Sequence, residues 1–178
     1  MRRLLSYQYQ ESIRSLLGEG AAHAIDLPLD TPAEDYRSIG AAQKSLDETQ
    51  INLFETNSFL AVQTAMSSES EFATEQTPWL WCIPISLVDT QCMTEIVYRF
   101  GQRAFRRPLT ETEMLRWRFV AMQAVSEYQN YNRGIEFLLA GMLQSPYFLY
   151  VIEVGLPDAQ NPEIRWLSPF EFATRLSY

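Results

Sequence analysis

Met93, Ile96, Val97, Phe100 and Ala104 recur every three or four positions, the period of one face of an α-helix, and Asp89 stands where such a helix begins. This spacing predicts a helix over residues 89–103. Thr110 and Glu113 then form a T-x-x-E capping box, followed by Met114, Leu115, Phe119, Met122 and Val125 as the expected buried side of a further helix. Asn132 is placed to start another, running through Leu143, and Pro146 restarts the chain after Ser145. Ser168, Pro169 and Glu171 repeat the sequence of cap, first-turn proline and capping box, so a last helix begins there. The final letters, EFATRLSY, carry no stop signal, and the expectation is a piece of a longer protein.

Nearer the N-terminus, Tyr7, Tyr9, Ile13, Leu16 and Leu17 predict a short amphipathic helix over 6–17, closed by Gly18. Residues 20–40 hold two prolines, several acids and no sustained period, and read as a surface loop. A longer helix is expected over 41–66, with Leu46, Leu53, Phe54, Phe59, Leu60 and Val62 on its apolar side and a break near Asn57. The polar stretch 67–78 reads as a linker, and WLWCIPISLV after it as an extended, partly buried segment because of Pro84 and its β-branched residues. The fold class that follows is all-α: a multi-helix array in two packed helical subdomains joined by a short linker. The expected divisions are 1–78, 79–160 with the RAFRRP segment, and 161–178 as the start of a further helical domain.

Composition narrows the function classes. Forty-seven per cent hydrophobic residues suffice to build a core, which excludes a disordered chain. A formal charge of -8 repels a phosphate backbone, so nucleic acid is not an expected partner. The most apolar stretch, residues 137–152, is interrupted by Gln144, Ser145 and Pro146 and predicts no transmembrane segment, and the opening MRRLLSYQYQ is too polar for a signal peptide.

Candidate chemistry is sparse. Cys82 and Cys92 have a spacing that permits a disulfide in an exported protein or two buried thiols in a cytosolic one, and they give no metal-ligand pattern with the single histidine, His23. His23 falls in the predicted loop, where an unspecialised exposed residue is the favoured reading over a general base. No G-x-S-x-G, P-loop, dinucleotide fingerprint or C-x-x-C-H occurs, so no catalytic residue, metal ligand or cofactor site is assigned within these residues. Arg99, Arg103 and Arg106 or Arg107 would share a face on a continuous helix and could grip a carboxylate or phosphate. The favoured alternative is pairing with acids of neighbouring helices, among them Glu95, Glu111, Glu113 and Glu153. Trp79 and Trp81 would point the same way from an extended segment, as a stacking platform for a sugar or, as favoured, as an aromatic plug. Tyr128, Tyr131, Tyr147 and Tyr150 read as core or interface residues.

Four segments taken together, RRLLSYQYQESIRSLLG, CMTEIVYRFGQRAFRRPLTETE, GIEFLLAGMLQSPYFLYVIEVG and LSPFEFATRLSY, resemble the planctomycete-type surface-domain proteins of unknown function. The resemblance covers most of the chain and is most specific at RAFRRPLT, LQSPYFLY and LSPFEFATRLSY. It implies a helical domain array at the periplasm or cell surface, often beside c-type cytochrome modules, with any haem in a C-terminal region beyond these residues. A bridge between Cys82 and Cys92 is implied by the family's cysteines at those positions. The function expected is a non-catalytic module that scaffolds or docks to a protein partner or to other domains of its own polypeptide. The alternative is part of an electron-transfer protein or envelope-polymer enzyme whose active site lies elsewhere.

Overall fold

A computed structural model describes residues 1–43, 45–67, 81–161 and 163–178. In chain order the elements are β1 (Arg2–Arg3), α1 (Ser6–Leu17), α2 (Glu19–Ala24), α3 (Arg37–Gln43), α4 (Glu48–Ser67), α5 (Thr90–Ala104) and α6 (Glu111–Tyr128). They continue with α7 (Tyr131–Gln144), α8 (Pro146–Leu149), β2 (Tyr150–Val151), β3 (Leu156–Pro157), β4 (Arg165–Trp166) and α9 (Pro169–Ser177). The protein is mainly α-helical, and the described strands are two-residue pairs.

Helix α7 is the hub. Ile135, Leu138, Leu139, Met142 and Leu143 are buried along it, and it packs against α4, α5 and α6. On the other side of α4 lie α1 and α2, whose Tyr9, Ile13, Leu16, Ala21 and Ala22 join the same core as Met93, Ile96 and Phe100 of α5. Tyr9 meets Phe54 and Phe148 edge to face, at ring separations of 5.1 and 6.0 Å. The chain entry is fixed by β1, antiparallel to β2 with Arg2 opposite Val151 and Arg3 opposite Tyr150. The core is thus continuous from α1 to α7, and the boundary expected in the 67–78 linker falls, except for Ser67 at the end of α4, outside the described residues.

Local signals explain most helix ends. Asp89 caps α5 by accepting the Cys92 N–H at 2.9 Å, and the predicted capping boxes of Thr110 with Glu113 and Ser168 with Glu171 both form. Gly18 ends α1 at a φ of 95°, where a side chain would be strained. The cap of α7 is Asn130, two residues before the expected start, and its Oδ1 accepts the N–H groups of Asn132 and Arg133.

Three expectations are corrected. Residues 20–40 are not one loop: Glu19–Ala24 forms α2, because Ala21 and Ala22 are small enough to bury against α4, and α3 begins at Arg37. The expected 41–66 helix breaks at 45–47, where Asp47 accepts the Gln50 N–H at 2.8 Å and caps α4. Asn57 instead lies buried inside α4 and bonds the backbone of Asp26 in both directions, at 2.6 and 3.1 Å. The third correction concerns α6, where Leu115 and Phe119 face solvent while Ala121 and Val125 are buried. Gly134 of α7 sets that phase: a Cβ there would lie 2.2 Å from Val125 and 2.8 Å from the Ala121 carbonyl, so the helices meet through their small residues.

Candidate docking groove

The RAFRRPLT segment cannot remain helical, because Pro108 lacks an N–H and its ring excludes the helical carbonyl four residues back. Helix α5 accordingly stops at Ala104, Phe105 caps it, and Arg106 adopts a left-handed φ of 58°. The helical face expected to carry Arg99, Arg103 and Arg106 or Arg107 therefore ends before Arg106 and Arg107. Arg99 pairs with Glu95 one turn earlier on the exposed side of α5. Arg103 donates to the Ser15 carbonyl of α1 at 2.5 Å, and burial pulls its pKa below the usual arginine value.

Arg106 turns inward. Its Nη2 donates to the carbonyl of Phe148 at 2.6 Å, with those of Tyr150 at 3.2 Å and Tyr147 at 3.4 Å, and its Nη1 donates to the Tyr178 hydroxyl at 3.1 Å. One guanidinium thereby satisfies carbonyls that the short α8 leaves without helical partners. Burial lowers the Arg106 pKa, an effect partly offset by Tyr178, whose ring lies 5.4 Å from the guanidinium carbon.

Arg107 forms a fork with Glu113, at 2.7 and 2.9 Å, and lies 4.5 Å from the centre of the Tyr147 ring. Glu113 also accepts the Thr110 N–H at 2.8 Å. The Arg107 hydrogen bonds, reinforced by Thr110 against a smaller cost of burial, hold the Glu113 carboxyl at about 2. Of the acids named from sequence, Glu95 and Glu113 take Arg99 and Arg107, whereas Glu153 forks with Arg175 of α9 at 2.6 and 2.8 Å.

Helix α9 crosses this region without burying a single residue. Glu171 fastens it: one carboxylate oxygen accepts the N–H of Val154 at 2.7 Å and of Gly155 at 3.0 Å, and the other accepts Ser168 N–H at 2.7 Å. Burial raises the Glu171 pKa, but these N–H bonds outweigh it and hold the group at about 2. Between the 105–110 turn, the 147–156 segment and α9 lies a groove of about 560 Å³, walled by Phe105, Tyr147, Tyr150, Ile152, Leu156 and Phe170. On the other flank of α9 a second cavity of about 470 Å³ takes in Arg103, Arg106 and the α1 residues Glu11 and Ser12. The larger groove has an apolar surface because Arg106, Arg107 and Glu171 are engaged by the protein itself.

At the opposite end of α5, Cys82 and Cys92 are joined by a disulfide, with Cα atoms 5.7 Å apart. Asp89 also accepts the Ile85 N–H at 3.2 Å, and Tyr131 donates to the Asp89 carbonyl at 2.6 Å. The loop so pinned is not partly buried as expected: Ile83, Ile85, Leu87 and Val88 are all exposed, Ile85 at 91%. Trp81 packs against the core, and Trp79, its proposed platform partner, lies outside the described residues. His23 sits on α2, exposed, with Nε2 3.2 Å from Glu19. Tyr128 stacks on Phe137, and the Tyr131 ring is buried.

No group of three or more His, Cys, Asp or Glu among the described residues is placed to hold a metal, and no described helix is long and apolar enough to cross a membrane. A c-type haem does not fit here either: attachment needs two thiols and a neighbouring histidine, whereas the chain's two cysteines bond each other and its one histidine is on α2.

Sequence reasoning singled out the FRRP arginines and found the Glu171 box, but it missed the turn at Arg106, the grip of Arg106 on carbonyls and the sideways reach of Glu171 to residues 154 and 155. The left-handed Arg106 had one usable signal, Pro108 two residues on. Tyr178, which bonds Arg106 and lies 2.7 Å from the Ser12 hydroxyl, had none.

The model of one protein family, described as PSD5: Protein of unknown function (DUF1595), matches residues 92–153. That stretch runs from the first turn of α5 past β2 and contains the 105–110 turn and the 147–153 part of the second wall, with Leu156 and α9 outside it. No curated protein and no solved structure matches the chain.

Proposed function

We propose that the protein is a helical docking module of an extracytoplasmic protein, and that the groove under α9 receives an apolar segment of a protein partner or of a neighbouring domain. The observation that carries this reading is the groove itself: about 560 Å³, aromatic and aliphatic in lining, with its charged neighbours already paired. A site built to bind a charged substrate would leave a cation or carboxylate to meet it. Here Val154, Leu156 and Phe170 stay more than half exposed beside saturated ions, which suits apolar contact. The Cys82–Cys92 bridge supports an oxidising compartment, periplasm or cell surface. The resemblance to surface proteins with cytochrome modules makes an envelope redox assembly the proposed setting.

The test is fluorescence of anilinonaphthalene sulfonate, a dye that brightens in apolar sites. The wild type should enhance it, and Leu156→Asp and Phe170→Asp should each abolish most of the enhancement while circular dichroism stays unchanged. Equal enhancement in wild type and both variants would place the apolar site elsewhere and end this reading.

A further inference from the structure

The chain displays two apolar surfaces at opposite ends of α5, one concave and one convex. The concave one is the groove at the C-terminal end. The convex one is the 83–88 loop at the N-terminal end, with Ile83 59%, Ile85 91% and Val88 76% exposed. A loop that shows four large aliphatics to water is costly unless something covers them. This one is also held rigid, by the Cys82–Cys92 bridge, by the Asp89 carboxylate on the Ile85 and Cys92 N–H groups, and by Tyr131 on the Asp89 carbonyl. A preorganised loop loses little entropy when it docks.

We propose that the 83–88 loop of one copy of this chain docks into the groove of a second copy, an inference that rests on the docking reading of the groove. A helix of 15 residues is about 22 Å long, so the loop cannot reach its own groove. The contact is head to tail, so one terminal copy of the assembly keeps an unused loop and the other an unused groove.

Charge and area both fit a second copy. Residues 1–78 hold 12 Asp and Glu against 5 Lys and Arg, whereas residues 79–178 hold 10 against 9, so both docking surfaces lie in the nearly neutral part. The loop itself carries no charge, the adjoining Asp89 and the groove's Arg106, Arg107 and Glu171 are already hydrogen-bonded, and no unpaired ion is buried by the contact. Covering the four aliphatics and the matching groove removes on the order of 1,000 Å² from water, the lower end for a specific interface, which predicts weak, concentration-dependent association. The net charge of -8 on each copy adds repulsion that salt screens, so association strengthens as salt rises.

Sedimentation velocity over a concentration series tests this on the full chain. The wild-type mass should climb beyond a dimer. A loop variant, Ile85→Asp with Val88→Asp, and a groove variant, Leu156→Asp with Phe170→Ser, should each weaken association by roughly tenfold or more. Mixed together they should form a one-to-one pair that grows no further, since only one intact loop and one intact groove remain. The altered side chains are exposed, so folding should survive. Should circular dichroism show otherwise, a disulfide-closed peptide of residues 81–93 serves instead, and it should dissociate the wild-type oligomer. A wild type that stays monomeric while the dye still lights the groove overturns self-docking and leaves the docking reading intact. Loss of the dye signal as well removes both. Wild-type protein that stays monomeric but pellets with phosphatidylcholine vesicles, in a manner abolished by Ile85→Asp, overturns the proposal in favour of a lipid surface.

Discussion

Arg106 and Arg107 are neighbours with different tasks, and the difference lies in what each replaces. Arg106 stands in for water at the carbonyls of residues 147, 148 and 150. Arg107 instead locks Glu113 into the α6 cap. Arg99 makes an exposed pair one helical turn away, of a kind that contributes ~0.5 kcal/mol or less. Alanine at these three positions should therefore destabilise in the order Arg106, Arg107, Arg99. Urea unfolding should show losses of about 2–4 kcal/mol for the first, where the part-buried Phe148 and Tyr150 carbonyls lose their donor, and ~1–2 kcal/mol for the second. The Arg107 deficit has a pH signature. Because Glu113 sits at about 2 when folded, its contribution is present above its unfolded value and fades as pH falls through the folded one. The difference between wild type and Arg107→Ala should thus be full at neutral pH and shrink on acidification toward about 2. A deficit independent of pH, or Arg99→Ala as costly as Arg106→Ala, would contradict these roles.

Among the elements, what was legible in sequence is what is written locally. The Asp89 cap, the two capping boxes and the period of α5 depend on neighbours within four residues, and all appear where read. The phase of α6 was misread because Leu115 and Phe119 are larger than Ala121, yet the close approach of Gly134 selects the smaller face. Helix α2 escaped notice because two alanines give no strong period, and Ser58, Ala61 and Ala65 of α4 hide a buried stripe for the same reason. Of the candidate site, the Ser168 cap was legible, whereas the FRRP segment was picked out for its arginines but read as helix and not as a turn. The groove itself was not, since it exists only where residues some 40 and 65 positions apart converge. The disulfide loop makes the prediction at this scale. Replacing both cysteines by serine should cost about 2 kcal/mol while α5 persists, because Asp89 still caps it. Identical urea midpoints for the oxidised protein and the double-serine variant would show that the bridge does not constrain the unfolded chain.

At the scale of the whole molecule, one core unites α1, α2, α4, α5, α6 and α7, and α9 stands apart from it, tied by Glu171, Arg175 and Tyr178 without burying a residue. This contrast, a packed body with an amphipathic helix strapped across an apolar groove, is the physical basis for a docking module. A third exposed apolar surface, Leu115, Phe119 and Val120 on α6, competes with the groove for the same role. The measurement that separates them most directly is chemical-shift mapping by NMR, with anilinonaphthalene sulfonate titrated into isotope-labelled protein. The groove account predicts perturbed amides at 105–110, 147–156 and along α9, with α6 beyond Met114 unchanged. Perturbations centred on Leu115, Phe119 and Val120, with the groove silent, would contradict it.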